Sequence, residues 1–289
     1  MKGDDADDEL DPLLHAERVG SYLPCRRHRT HRIYGGIKKR VSLHAAWCEG
    51  SLKNHKVNYI IEHKTLEIQG VIGMALALLV YGESGSGKTT SLRTLDPERT
   101  LIVDADRKGL AWRGWRKQYN GEKKNYVQTS KVPTIESIYR KMQGEWADKF
   151  DNLVIDGLST IMVDDEMERA KERGFDKFID LAQCIWNVVS DAHLLRDDLN
   201  VIFIAHSITE HDESGYLWTH VKTGGRKLDK IVLESKFTTV LWAKCLDGKY
   251  VFETQSDHST AKSPMGCFEK DIPNDMKFVI DTLRAYEEE

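Results

Sequence analysis

Short apolar runs alternate with segments of helical spacing through residues 74–289. The runs cover residues 76–81, 100–105, 152–156, 200–205 and 238–243, and each has the length and texture of a buried strand. Between them, Pro133 to Glu145 sets Ile135, Ile138 and Met142 on one face. Asp176 to Leu195 carries Phe178, Ile179, Ala182, Ile185, Trp186 and Val189 at helical intervals, which predicts core positions. Strands alternating with helices predict an α/β fold. Its central sheet is mainly parallel and flanked by helices, with a ligand at the carboxyl ends of the strands. The rhythm changes late in the chain. There Phe237 to Ala243, the pair Asp247-Gly248 and then Tyr250 to Thr254 predict a C-terminal β-hairpin closed by a tight turn.

Residues 1–73 follow neither period. Acidic residues (Asp4, Asp5, Asp7, Asp8, Glu9, Asp11) give way to a basic, histidine-rich stretch from Arg26 to Arg40. The expected organisation is therefore a poorly structured extension over 1–73 and one α/β domain over 74–289. Cys25, His28, His31, His44 and Cys48 lack the paired spacing of a zinc site, so a solvated tail is the expectation. The composition break at Met74 also raises the reading that synthesis starts there and that 1–73 lie upstream of the natural start.

Composition narrows the class. Charged residues make up 30% and hydrophobic ones 40%, and the longest apolar run, Val71 to Tyr81, is too short to cross a bilayer, so no membrane association is expected. Five cysteines without paired spacing point to a reducing, cytoplasmic setting. A net charge of −4 gives no global attraction for nucleic acid, so any such contact must come from a local basic loop.

The most informative stretch is Leu76 to Thr90, an apolar strand running into G-x-x-x-x-G-K-T. Gly82, Gly85 and Gly87 let the backbone curl, so that the N–H groups of Glu83, Ser84, Gly85, Ser86 and Gly87 can face phosphate oxygens. A helix starting near Gly87 would add its positive end, Lys88 would reach the β- and γ-phosphates, and Thr89, followed by Thr90, would hold Mg2+. The segment Leu153-Val154-Ile155-Asp156 is an apolar strand ending in an acid, the partner such a loop needs for the metal's water shell. Thr100 to Asp106 is another strand ending in acids, Asp104 and Asp106. Val201 to His206 ends in a histidine able to donate to a phosphate and to change charge near neutral pH.

In order and spacing, Gly82 to Thr90, Asp104 to Asp106, Leu153 to Asp156 and Ile202 to His206 resemble the strand ends of RecA-like P-loop NTPases. The likeness is to the compact phage-encoded nucleotide-binding proteins of the AAA-type ATPase group, whose relatives assist single-strand annealing. It covers 74–289 and none of 1–73. The resemblance implies ATP and Mg2+ as ligands, Asp106 as the carboxylate that orients the attacking water (with Asp104 as the alternative), and His206 as the γ-phosphate sensor. Asp106 is one methylene shorter than the glutamate usual in that group, which implies slow hydrolysis. The polar segment Ser207 to Lys222 resembles a mobile loop that touches single-stranded DNA. That makes Trp218, Lys222, Arg226, Lys227 and Lys230 candidates for DNA or for a neighbouring subunit's phosphate. The basic-aromatic stretch Arg107 to Lys117 reads instead as a surface helix with Trp112 and Trp115 packed inward. The resemblance further implies a homo-oligomer and a recombination or replication partner protein. Two other readings use the same loop: a loader that binds ATP to assemble with a partner and barely hydrolyses it, and a P-loop kinase.

Overall fold

A computed structural model describes residues 74–174, 176–211, 213–224 and 232–288, all within one compact unit. The extension over 1–73, with its cysteine and histidine set, lies outside the described residues, as do Arg226, Lys227 and Lys230. No helix among the described residues is long and apolar enough to cross a membrane.

Every predicted apolar run is a strand. β1 (Leu76–Gly82), β2 (Thr100–Asp104), β4 (Asn152–Asp156), β5 (Asn200–His211) and β7 (Thr239–Leu246) run parallel, with the short β3 (Tyr126–Val127) at one edge. β8 (Lys249–Glu253) and β9 (Asp271–Pro273) extend the other edge antiparallel, so the order is β3-β2-β4-β5-β1-β7-β8-β9. The predicted hairpin is β7–β8. Asp247 and Gly248 both adopt positive φ, at 50° and 78°, which is what a two-residue primed turn requires.

All seven residues of β1 are buried, because helices cover both faces of the sheet. Ala77, Leu79 and Tyr81 pack with α2 (Val132–Gln143), α3 (Leu158–Glu168) and α4 (Asp176–Ala192). Leu76, Leu78 and Val80 face α5 (Met276–Glu288) through Met276, Val279, Ile280 and Leu283. Each such aliphatic side chain contributes about 1.5–3 kcal/mol on burial. Ile135, Ile138 and Met142 are buried as their spacing predicts. On α4 the predicted Phe178 and Trp186 are only half-buried, and Ile179 departs furthest. It lies off the stripe formed by Leu181, Ala182, Ile185, Val188 and Val189, and is 55% exposed.

Three segments depart from the sequence reading. The helix expected after Gly87 is a six-residue 3-10 helix, Thr89–Thr94. Ser91 Oγ donates to Lys88 O at 2.6 Å and Thr94 Oγ1 to Ser91 O at 3.1 Å, so hydroxyls take carbonyls that a longer α-helix would use. Its dipole is correspondingly short. Between Arg107 and Lys117 the backbone turns irregularly into a single helical turn, α1 (Trp115–Gln118). Trp112 and Trp115 do pack inward against the core. Ser207 to Lys222 is not a loop but mostly a β-hairpin. β5 continues to His211 and pairs antiparallel with β6 (Leu217–Val221).

Candidate nucleotide-binding site

β1 and β5 are adjacent and parallel, with Gly82 level with His206, and their onward connections leave toward opposite edges of the sheet. That arrangement opens a crevice at their carboxyl ends. The glycine loop fills the mouth of it. Gly85 and Gly87 have φ of 82° and 91°. A Cβ on Gly82 would come within 2.5 Å of the Ala243 carbonyl oxygen and 2.7 Å of Ser86 Oγ, so the loop can lie this close to β7 only with glycine there.

Lys88 is 7% exposed and curls back to donate from Nζ to Gly82 O at 2.8 Å and Glu83 O at 2.6 Å. Burial, followed by the nearby charge of Lys108, pulls its pKa down to about 8. Asp156 is 1% exposed and accepts from Thr89 Oγ1 at 2.7 Å. Burial pushes its pKa up to about 6, against the opposing pull of Lys108 and of that hydrogen bond. The pair therefore stands ready for a divalent cation, whose charge would offset the cost of an ionised carboxylate in this position. Ser86 Oγ is buried with no hydrogen-bond partner among the described residues, as befits a hydroxyl that meets a phosphate oxygen. Those features fit a nucleoside triphosphate with Mg2+ held through Thr89 and Asp156.

Asp106 lies just past β2. Its Oδ1 accepts from Thr160 Oγ1 and its Oδ2 from Lys108 Nζ. Burial opposes its ionisation, yet those bonds and the charges of Lys108 and His206 hold its carboxyl below the usual range. It is in electrostatic reach of Lys88 and Asp156. Asp104, the alternative, is fully buried. Its Oδ2 receives Tyr126 Oη at 2.5 Å and the Gly109 N–H at 2.9 Å, so it organises the turn that carries Asp106 and Lys108.

A family model described as an AAA domain matches residues 74–264. The chain belongs to the AAA domain family. No curated protein sequence matches it. Among solved structures, a crystal structure of the RadB recombinase is similar with a TM-score of 0.40 and 16% identity, covering 64% of this chain and 83% of that one.

In this AAA domain the strand ends are supported by residues that motif reading missed. Gly157 follows Asp156 at φ 106°, and a Cβ there would sit 2.7 Å from Asp106 Oδ1, so glycine is required for the two acidic strand ends to approach. Lys108 and Thr160 clamp Asp106. The signals were a glycine directly after the strand-end acid and a lysine two residues after the other.

His206 is half-buried. Burial and the charge of Lys88 lower its pKa, so the ring is neutral at pH 7. Its backbone is tied to both ends of the hairpin. His206 N–H donates to Ser159 Oγ at 3.1 Å, Ser159 Oγ donates to Lys222 O at 3.1 Å, and Lys222 N–H donates to His206 O at 2.7 Å. The hairpin between them is fixed to the core. Glu234, 6% exposed, accepts from the Val221 N–H at 2.9 Å, and the Thr219 N–H donates to His258 O at 2.9 Å. Trp218 is 38% exposed opposite Glu210, and the Lys222 side chain is exposed. The structure thus brings Lys88, Thr89, Asp156, Asp106 and His206 to one crevice and leaves Trp218 on the hairpin beyond it.

Proposed function

We propose that this AAA domain binds ATP with Mg2+, hydrolyses it slowly, and passes its nucleotide state to single-stranded DNA through the segment after His206. The hydrogen bond between Thr89 and the buried Asp156, beneath a glycine loop with Lys88 folded into it, carries the nucleotide reading. Magnesium bound there would neutralise the charge gathering on the phosphates. Asp106 orients the attacking water once an oxygen is freed from Lys108 or Thr160, and neutral His206 donates to the γ-phosphate. The backbone link His206–Ser159–Lys222 supports coupling, since a shift at the sensor moves the base of the hairpin that presents Trp218. Stacking on such an aromatic is worth about 1–3 kcal/mol per base. A setting in phage recombination or replication, a homo-oligomer, and a partner protein rest on the resemblance of the four strand ends.

A kinase would need room for an acceptor. The cavity beside His206, bounded by Thr160, Val163 and Lys222, holds about 160 Å3, below the roughly 300–1,000 Å3 of small-molecule sites. Water is the better-fitting nucleophile. ATP turnover by the full chain, with and without single-stranded DNA over a salt series, tests the reading. Turnover should rise with DNA, the rise should shrink as salt increases, and Lys88→Ala should abolish turnover. Unchanged turnover in Lys88→Ala would remove the site assignment. Turnover indifferent to DNA would leave a partner-loading ATPase.

A further inference from the structure

The γ-phosphate end of the crevice is set by Thr89, Asp156, Asp106 and His206, all on the β4–β5 side of the loop. A triphosphate laid along the loop must send its nucleoside out toward the other side, where β7 flanks β1 and β8 and β9 continue the sheet. Two residues from that side reach Gly87. A Cβ on Gly87 would lie 2.8 Å from Cδ1 of Tyr250 and 3.2 Å from Nδ2 of Asn274. Tyr250 stands at the start of β8 and is 49% exposed, so its ring covers the loop while much of it faces solvent.

Asn274, between β9 and α5, is 4% exposed, and its Nδ2 has no hydrogen-bond partner among the described residues. The orientation of the amide is set by its neighbour. Arg93 Nη1 donates to Thr90 O at 2.8 Å, to Asn274 O at 3.2 Å and to Asn274 Oδ1 at 3.4 Å. A guanidinium has only donors, so Oδ1 faces Arg93 and the amide N–H donors face Gly87. An unused donor buried at this depth costs free energy unless something accepts from it.

We infer that Tyr250 and Asn274 form the base subsite of the nucleotide site, with Tyr250 stacking on a purine and Asn274 Nδ2 donating to an acceptor atom of it. This subsite presupposes the proposed nucleotide site and adds what the glycine loop cannot supply, since the loop reads phosphates alone. A purine offers a larger face than a pyrimidine and ring nitrogens that accept, which suits this pair.

Equilibrium binding of Mg-ATP, Mg-CTP and magnesium tripolyphosphate to the full chain tests it, with no turnover measured. The wild type should hold ATP several-fold more tightly than CTP, because both bases can stack but the purine presents the larger face. Tyr250→Leu, which still covers Gly87, should erase that preference and leave tripolyphosphate affinity unchanged. Asn274→Leu, close in volume and uncharged but without the donor, should weaken ATP about tenfold and leave tripolyphosphate within a few-fold of wild type. Melting curves confirm that each variant is folded, and Tyr250→Leu, at an exposed position, keeps the test decisive if Asn274→Leu is not. Equal ATP and CTP affinity in the wild type, or equal losses for ATP and tripolyphosphate in the variants, would overturn the subsite. Absence of tripolyphosphate and nucleotide binding altogether would instead sink the nucleotide reading itself.

Discussion

The two sides of the glycine loop are built differently. Toward β4 and β5, three acids, two lysines and a histidine crowd one another, and each acid is tied to a neighbour by at least one hydrogen bond, although the buried Asp104 Oδ1 has no partner among the described residues. Asp106 has both oxygens occupied, Asp104 is bonded into its turn, and Asp156 grips Thr89. Toward β7–β9 stand a half-exposed ring and one amide with a spare donor. Groups that must respond to charge appearing in a transition state need that rigid, mutually coupled setting. Groups that hold an unreacting part of a substrate need only shape and a donor, and they contribute equally to ground and transition states. Asp106 and His206 on the first side should therefore govern rate, and the second side should add affinity for the base beyond what the phosphates and metal supply.

The largest test of that division is Asp106→Asn. It keeps the shape beside Gly157 while removing the charge. Turnover should fall by about 10²–10⁴-fold, as for loss of a positioned base, with Mg-ATP affinity within a few-fold of wild type. Steady-state kinetics beside direct binding separates the two. A variant that loses affinity in proportion to rate would erase the contrast.

A smaller effect is expected for Gly157→Ala. The residue sits at φ 106° and its new methyl would meet Asp106 Oδ1 at 2.7 Å. Strain of this kind costs about 1–3 kcal/mol, to be read as a lower denaturation midpoint. Turnover should drop as well, because the carboxylate must move. Gly85→Ala makes the comparison sharper. Gly85 has φ 82° but open space around a Cβ, so strain acts there without the clash. Equal losses of stability at the two positions would show that contact with Asp106 adds nothing.

Legibility in the sequence divides along the same boundary. The P-loop, Asp156, Asp106 and His206 stand where strands end, and strands announce themselves as apolar runs. The hairpin after His206 was not legible. Ser207, Thr209, Glu210 and His211 give no alternation of apolar and polar positions, and the pairing is held by contacts such as Thr209 Oγ1 to Thr219 Oγ1 at 2.9 Å and by the buried Glu234. Tyr250 and Asn274 were equally hidden. The turn Asp247-Gly248 predicted the strand that bears Tyr250, but nothing local says that its ring lands on Gly87. Arg93 and Asn274, which fix the amide, are 181 residues apart. Asp104 and Asp106 look alike in sequence and separate only through their partners.

The smallest predicted effect concerns protons on the β4–β5 side. Asp156 has its pKa raised to about 6 by burial, so below that pH it carries a proton in the folded protein. Magnesium requires the ionised form, and Mg-dependent ATP affinity should therefore fall about tenfold per unit as pH drops below 6. Stability of the nucleotide-free protein runs the opposite way. A carboxyl whose folded pKa exceeds its unfolded value binds more protons when folded, so its contribution to stability is lost as pH rises through that window. Lys88, lowered to about 8, has the converse effect at higher pH: the folded state releases its proton first, and stability is regained as pH climbs from about 8 toward the ordinary lysine range. Between those limits both groups are charged in a buried site, and Mg-ATP should give its greatest thermal stabilisation there. The shift in melting temperature caused by Mg-ATP should thus be larger at pH 7 than at pH 5. The same titration on Asp156→Asn removes the nucleotide's own protonation from the difference. A pH dependence as steep in Asp156→Asn as in the wild type would place the proton elsewhere and leave the coupling of that acid to the metal without support.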